Sequence, residues 1–344
     1  MSTALVTGGS GFIAGHVVAL LLQEGYKVRT TVRSLANSSK NQHLLDLSTK
    51  YPRRLRLYEA DLLRPRSFDV PMKECDLVFH IASPFLMPEQ ISDGIKQIVE
   101  PALLGTRNVL AAVNRTRSVR RVVLTSTVAA IFGDYSDVSR MSEGVLSDKY
   151  FNTSSTPSNN PYHYSKVAAE KEAWELVNQQ QRWSLVTINP GLVMGPAITS
   201  TSDSGSLFLL NQLLRGYFFY GVPNFSFTYV DVRDVSLAHL RAAERDRANG
   251  RYILAEKQMI SFLEMSQILR SVHRRPYLLP TWGIPDWVVR RIGPRFGLSK
   301  EYIRGNLGIR FPVDNQRSID DLGIVYRPIA ETLRDHYNAW NSPR

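Results

Sequence analysis

The sequence predicts an α/β fold, a doubly wound parallel sheet with a smaller, partly interleaved lobe toward the C-terminus. Three observations predict it. Short β-branched runs alternate with longer helical patterns through the first half, the mark of βαβ units whose sheet is covered on both faces. A glycine-rich turn, Gly8-Gly9-Ser10-Gly11, stands between the first such run and the first helical pattern. After Pro190 the rhythm changes: loop-forming residues crowd Thr199 to Ser206, ahead of a helical run and the aromatic stretch Tyr217-Phe218-Phe219-Tyr220.

In chain order the predicted strands are Ala4 to Thr7, Lys27 to Val32, Arg54 to Tyr58, Leu77 to Ile81, Arg121 to Thr125 and Leu185 to Asn189. Helical stretches such as Phe12 to Glu24 and Ala168 to Gln180 fall between them, and the crossovers are expected to be right-handed. Phe227 to Leu254 again reads strand, helix, strand, so the two lobes interleave in sequence. The run Trp282 to Arg291 reads as a lobe helix closing a pocket, with an interfacial amphipathic segment as the alternative.

Composition narrows the classes. The 344 residues carry 43% hydrophobic side chains, enough for a sizeable core. The one cysteine, Cys75, can form no internal disulfide and has no companions for a metal site, which points to a reducing compartment, by default the cytoplasm. No signal peptide is evident, and no window reaches the roughly 20 apolar residues of a membrane span. Net charge is +11, but the cations are spread along the chain with no glycine-aromatic RNA motif among them. An anionic small molecule therefore fits the charge better than nucleic acid does.

The turn Thr7-Gly8-Gly9-Ser10-Gly11-Phe12-Ile13-Ala14 follows a strand and opens a helix. In that place backbone N–H groups can approach a pyrophosphate and the helix dipole favours its charge, as in a Rossmann-type dinucleotide site. An acid about 20 residues further on would select NAD through its ribose 2′-hydroxyl. Here the second strand ends Thr31-Val32-Arg33, with Lys40 following, and two cations suit the 2′-phosphate of NADP, a solvated basic loop being the other reading. Asp61 and Leu62 follow the third strand, where they would meet the adenine; a helix cap is the other reading of Asp61.

Of 15 tyrosines only Tyr162 has a lysine four positions on, Lys166, in a segment that Pro161 opens as a helix. The spacing puts both side chains on one helix face. A phenol with a pKa of about 10 is a sluggish acid at neutral pH. A nearby ammonium is expected to lower that value, so that Tyr162 can protonate a carbonyl oxygen as hydride reaches the carbon. The partner hydroxyl is expected at the C-terminal end of the fifth strand, where Thr127 is the candidate and Ser126 the fallback.

These residues, in this order, resemble the extended short-chain dehydrogenases/reductases, in particular the dihydroflavonol 4-reductase-like branch that includes cinnamoyl-CoA reductases and fungal aldehyde and ketone reductases. The matching text includes Val6-Thr7-Gly8, Gly11-Phe12-Ile13, Thr31-Val32-Arg33, His43-Leu44-Leu45-Asp46-Leu47, Asp61-Leu62, Tyr162 with Lys166, and Gly195-Pro196. The resemblance implies cofactor contacts at Thr7, Gly8, Gly11, Phe12, Ile13, Arg33, Lys40, Asp61 and Leu62. It extends them to Ile81, Ala82, Ser83, Pro84, Ser126, Tyr162, Lys166, Pro190 and Val193. Thr127 stands where the family has its catalytic serine, and Ala14 at its third loop glycine. Phe132 replaces the Asn or Asp of plant flavonoid reductases, which argues against flavonoid specificity.

The resulting expectation is an NADPH/NADP+-dependent reductase of small apolar or aromatic aldehydes and ketones, with Thr127, Tyr162 and Lys166 catalytic and no metal. Residues 1–195, with 226–257 contributing, would bind NADP; 196–225 and 258–344 would form the substrate lobe. Phe132, Tyr135, Phe151 and Phe219 are candidates for the substrate wall, and lobe packing is the other reading for each. The partner is a small carbonyl substrate, with no nucleic acid or membrane and a monomeric or homodimeric state. An NAD(P)-dependent alcohol or steroid-type dehydrogenase or isomerase, and a non-catalytic dinucleotide sensor, are the competing functions.

Overall fold

The structure is a computed structural model that describes residues 2–84, 92–198 and 204–342. The first half runs β1 (Thr3–Val6), α1 (Phe12–Gln23), β2 (Lys27–Val32), α2 (Ser38–Lys50), β3 (Leu55–Glu59), the single turn α3 (Asp69–Met72), β4 (Leu77–His80) and α4 (Glu100–Arg115). It continues through β5 (Arg121–Thr125), α5 (Pro161–Asn178), β6 (Ser184–Pro190) and β7 (Leu192–Met194). Then come α6 (Gly205–Leu214), the two-residue strands β8 (Val222–Pro223) and β9 (Ser226–Phe227), β10 (Tyr229–Asp231), α7 (Val232–Glu244) and β11 (Gly250–Leu254).

Seven of these strands form one parallel sheet in the order β11-β6-β5-β4-β1-β2-β3. Successive strands step one way from β1 to β3 and the other way from β4 onward. The crevice between the ends of β1 and β4 is thus the place where a doubly wound sheet receives a ligand. Ala4, Leu5 and Val6 are fully buried and Leu77, Val78 and Phe79 nearly so, because both sheet faces are covered. Val17, Val18 and Leu21 of α1 and Val235 and Ala238 of α7 share one core, on one face; Val109, Leu110 and Val113 of α4 and Ala173 of α5 share the core on the other.

The helix around Tyr162 is longer than the Ala168-to-Gln180 stretch because it starts at Pro161, behind Asn160, whose side chain accepts from the His163 N–H at 3.2 Å. Residues 227–254 fold as β10, α7 and β11, and β11 joins the main sheet beside β6. Leu210, Leu213, Phe262, Met265, Leu333 and Tyr337 make the separate core of the C-terminal lobe. Within the predicted loop segment, residues 199–203 lie outside the described residues, and Ser204 already precedes α6. The Trp282-to-Arg291 run breaks at Pro285 and becomes helical only over Asp286–Ile292, with Val289 buried and Trp282 and Trp287 exposed. No described helix is long and apolar enough to cross a membrane.

Candidate active site

A cleft of about 1050 Å³ opens at the C-terminal ends of the sheet. Its walls include Gly8, Gly11, Phe12 and Ile13 from the glycine turn and the start of α1. Gly8 has φ +73°, and a Cβ there would stand 2.9 Å from that of Ala82, so only glycine permits the turn to pass this close to the end of β4. At Gly9 a Cβ would fall 2.1 Å from Thr30 Oγ1. No side chain caps Gly11, which leaves the first-turn N–H groups of α1 for an anion in the cleft. This uncapped helix start, cradled by glycine, fits a pyrophosphate.

Thr7, expected among the cofactor contacts, does not line the cleft; it is fully buried. Its Oγ1 accepts from the backbone N–H of Ile81 and of Ala82, each at 3.0 Å, and lies 3.0 Å from His80 Nδ1. With both acceptor positions taken, its proton points to His80, which burial holds neutral at about 4. Thr7 thereby shapes the turn that presents Ile81, Ala82, Ser83 and Pro84, all of which line the cleft. His43, inside a motif read only for its likeness, steadies the loop from behind: its Nε2 donates to the Gly9 carbonyl at 3.1 Å.

At the far end of the cleft lie Arg33 and Lys40, with Asn37, whose side chain caps α2. Arg33 is exposed. Two cations and an uncapped helix start thus stand along one trough, which suits a dinucleotide carrying an additional phosphate. Asp61 and Leu62 also line it. Asp61 Oδ1 accepts from the Leu63 N–H at 2.9 Å, so the carboxylate holds its own turn as well as facing the cleft.

Thr127, Tyr162 and Lys166 open on the same cleft, together with Ser126, Pro190 and Val193. The Thr127 hydroxyl donates to the Pro190 carbonyl at 3.3 Å and accepts from the Ala129 N–H at 3.3 Å. The Lys166 ammonium donates to Ser83 Oγ at 2.6 Å and stands 5.4 Å from the centre of the Tyr162 ring. Burial pushes the Tyr162 phenol up to about 12 and the Lys166 ammonium down to about 8. The phenol is therefore less acidic than the sequence suggests, because loss of water at the cleft floor disfavours the phenolate.

Phe132 and Tyr135 form the apolar end of the cleft with Phe227 and Leu192, and the ring of His163. Phe132, Tyr135 and Phe311 meet edge to face, with centroids 5.4 to 5.7 Å apart. Phe151 and Phe219 stand elsewhere. Phe151 is covered by the Arg251 guanidinium, 3.9 Å from its ring, and Phe219 is 65% exposed beside Tyr220. Phe227 closes the aromatic stretch that begins at Tyr217, whereas no sequence pattern marks Leu192; His163 is marked only by its place beside Tyr162 at the helix start. Among the described residues no group of three or more His, Cys, Asp and Glu side chains could hold a metal ion.

The sheet order, the glycine cradle and the Tyr-Lys helix define an extended short-chain dehydrogenase/reductase, a class of nicotinamide-dependent oxidoreductase. The chain belongs to the NAD dependent epimerase/dehydratase family, whose profile matches residues 4–255. It is 37% identical over 310 residues to cinnamoyl-CoA reductase CAD2 of Medicago truncatula, covering 89% of this chain and 90% of that one. Among solved structures it is similar to Gre2 of Candida albicans in complex with NADPH, with a TM-score of 0.78, 29% identity and 98% of each chain covered. The yeast methylglyoxal/isovaleraldehyde reductase Gre2 complexed with NADPH gives a TM-score of 0.78 at 27% identity, covering 98% of this chain and 97% of that one.

Proposed function

We propose that the protein reduces aldehydes and ketones of small apolar or aromatic molecules to alcohols, with NADPH as reductant. One observation carries the reading: a single cleft joins the glycine cradle and Arg33 and Lys40 at one end to Thr127, Tyr162 and the Phe132–Tyr135 wall at the other. The NADPH-bound relatives support the choice of cofactor.

In this reading the first-turn N–H groups of α1 bind the pyrophosphate, and Arg33 and Lys40 bind the 2′-phosphate. Lys166 binds ribose hydroxyls and adds positive charge beside Tyr162. When bound, NADPH supplies the hydride. Thr127, turning its hydroxyl proton away from the Pro190 carbonyl, and Tyr162 both donate to the substrate oxygen, which draws charge from the carbonyl carbon, and Tyr162 then gives its proton to the oxygen. A phenol held at about 12 keeps that proton at neutral pH and releases it only to an oxygen gaining negative charge. The aromatic wall excludes water and favours an apolar substituent. The single cysteine, Cys75, accords with work in the cytoplasm.

The test is a panel of aromatic aldehydes, ketoesters, diketones and dihydroflavonols, followed by NADPH absorbance with NADH in parallel. Oxidation of NADPH by aldehydes or ketones, faster than that of NADH, is expected. No cofactor oxidation with any carbonyl would refute the reading.

A further inference from the structure

Beneath the cleft, on the face of α5 that carries Tyr162 and Lys166, a third residue follows at the same four-residue spacing: Glu170, 1% exposed. Its Oε1 accepts from Arg251 Nε on β11 at 2.5 Å and from Thr187 Oγ1 and Trp174 Nε1, each at 3.4 Å. Its Oε2 accepts from Asn189 Nδ2 on β6 at 2.8 Å and from the Ser126 hydroxyl at the end of β5. One carboxylate thus ties the catalytic helix to three adjacent strands.

The ties converge on Thr127. Asn189 Nδ2, besides holding Glu170, donates to the Thr127 carbonyl at 3.1 Å, and Asn189 is fully buried. Ser126, the residue before Thr127, is held by Glu170 directly. Arg251 donates to the Ala130 carbonyl at 3.4 Å, in the short turn after Thr127, and to the carbonyls of Asp148 and Tyr150. Thr127 is therefore fixed before, at and after its own position by groups that all answer to Glu170. A buried charge pair is costly to desolvate, and a hydrophobic pair of the same volume often serves stability as well, so a positional role accounts better for its presence here.

We infer that Glu170 is a positioning residue for the reduction. Through Asn189 and Ser126 it sets the register between the helix carrying Tyr162 and the strand end carrying Thr127, so that both donors reach one substrate oxygen. This rests on the reductase reading above. Neither Glu170 nor Asn189 is proposed to touch the substrate.

The test compares wild type, Asn189→Ala, Glu170→Gln, Thr127→Ala and the Thr127→Ala/Asn189→Ala double variant, using NADPH and a carbonyl the wild type reduces. Since misplacement by about 1 Å can cost about 100-fold, Asn189→Ala is expected to lower kcat by about 10- to 100-fold while the KM for NADPH stays within about threefold. In the Thr127→Ala background the same change is expected to cost less than about twofold more, because the group being positioned is gone. Glu170→Gln leaves Arg251 facing a neutral amide; should it not fold, Asn189→Ala keeps the ion pair whole and decides the matter. An Asn189→Ala enzyme with wild-type kcat, or losses that multiply in the double variant, would overturn the inference. A wild type inactive on every carbonyl would instead refute the reductase reading, and this inference with it.

Discussion

Lys166 holds its ammonium 5.4 Å from the centre of the Tyr162 ring, over the π face, and spends a hydrogen bond on Ser83 Oγ at 2.6 Å. Burial disfavours the charged form of each, so the phenol rises to about 12 and the ammonium falls to about 8. Of the two, only Lys166 titrates near neutrality.

A pH dependence follows from those directions. The charged form of Lys166 attracts an anionic dinucleotide, and that form is lost as pH rises through about 8. In the free enzyme kcat/KM for NADPH is expected to be level below about pH 7 and to fall by up to about tenfold per unit above about pH 8. Tyr162 stays protonated throughout this window. A profile flat to about pH 10 would contradict the assignment.

Cofactor preference is expected to turn on Arg33, which lines the far end of the cleft. Arg33→Asp removes a charge-assisted contact and sets a carboxylate against a phosphate, so the ratio of kcat/KM for NADPH to that for NADH is expected to fall by about 100-fold. Parallel kinetics with both cofactors read it directly, and an unchanged ratio would remove Arg33 from the site.

Thr7 makes a different prediction, since its hydroxyl serves three partners inside the protein. Thr7→Val keeps the shape and leaves the partly buried N–H groups of Ile81 and Ala82 without their acceptor. At about 1–3 kcal/mol for each of these two unsatisfied groups, a loss of about 2–6 kcal/mol in unfolding free energy is expected, with a raised KM for NADPH. Urea denaturation measures the first, and stability within about 0.5 kcal/mol of wild type would refute the account of the turn.

Local patterns made the sheet legible. Alternating β-branched runs locate β2 and β5 to the residue, and Pro161 marks the start of α5, because strands and caps are decided by neighbours along the chain. The site was legible where spacing alone sets it, as in Tyr162 with Lys166. It was not legible where partners are distant in sequence. Thr7 reads as a loop contact until Ile81 and Ala82, 74 and 75 positions away, claim its hydroxyl. Nothing in the local pattern around Glu170 announces Arg251, which meets it from 81 positions on. Phe151 and Phe219 share the composition of a pocket wall, and only packing shows that one lies under Arg251 and the other faces solvent. The rise of the Tyr162 phenol likewise comes from its burial, which no spacing reports.

The most direct test of the central claim is the turnover of Tyr162→Phe with NADPH and a carbonyl the wild type reduces, beside its affinity for NADPH. If Tyr162 donates the proton, turnover falls by at least about 100-fold while NADPH still binds within a few-fold of wild type. Turnover close to that of the wild type would contradict the account.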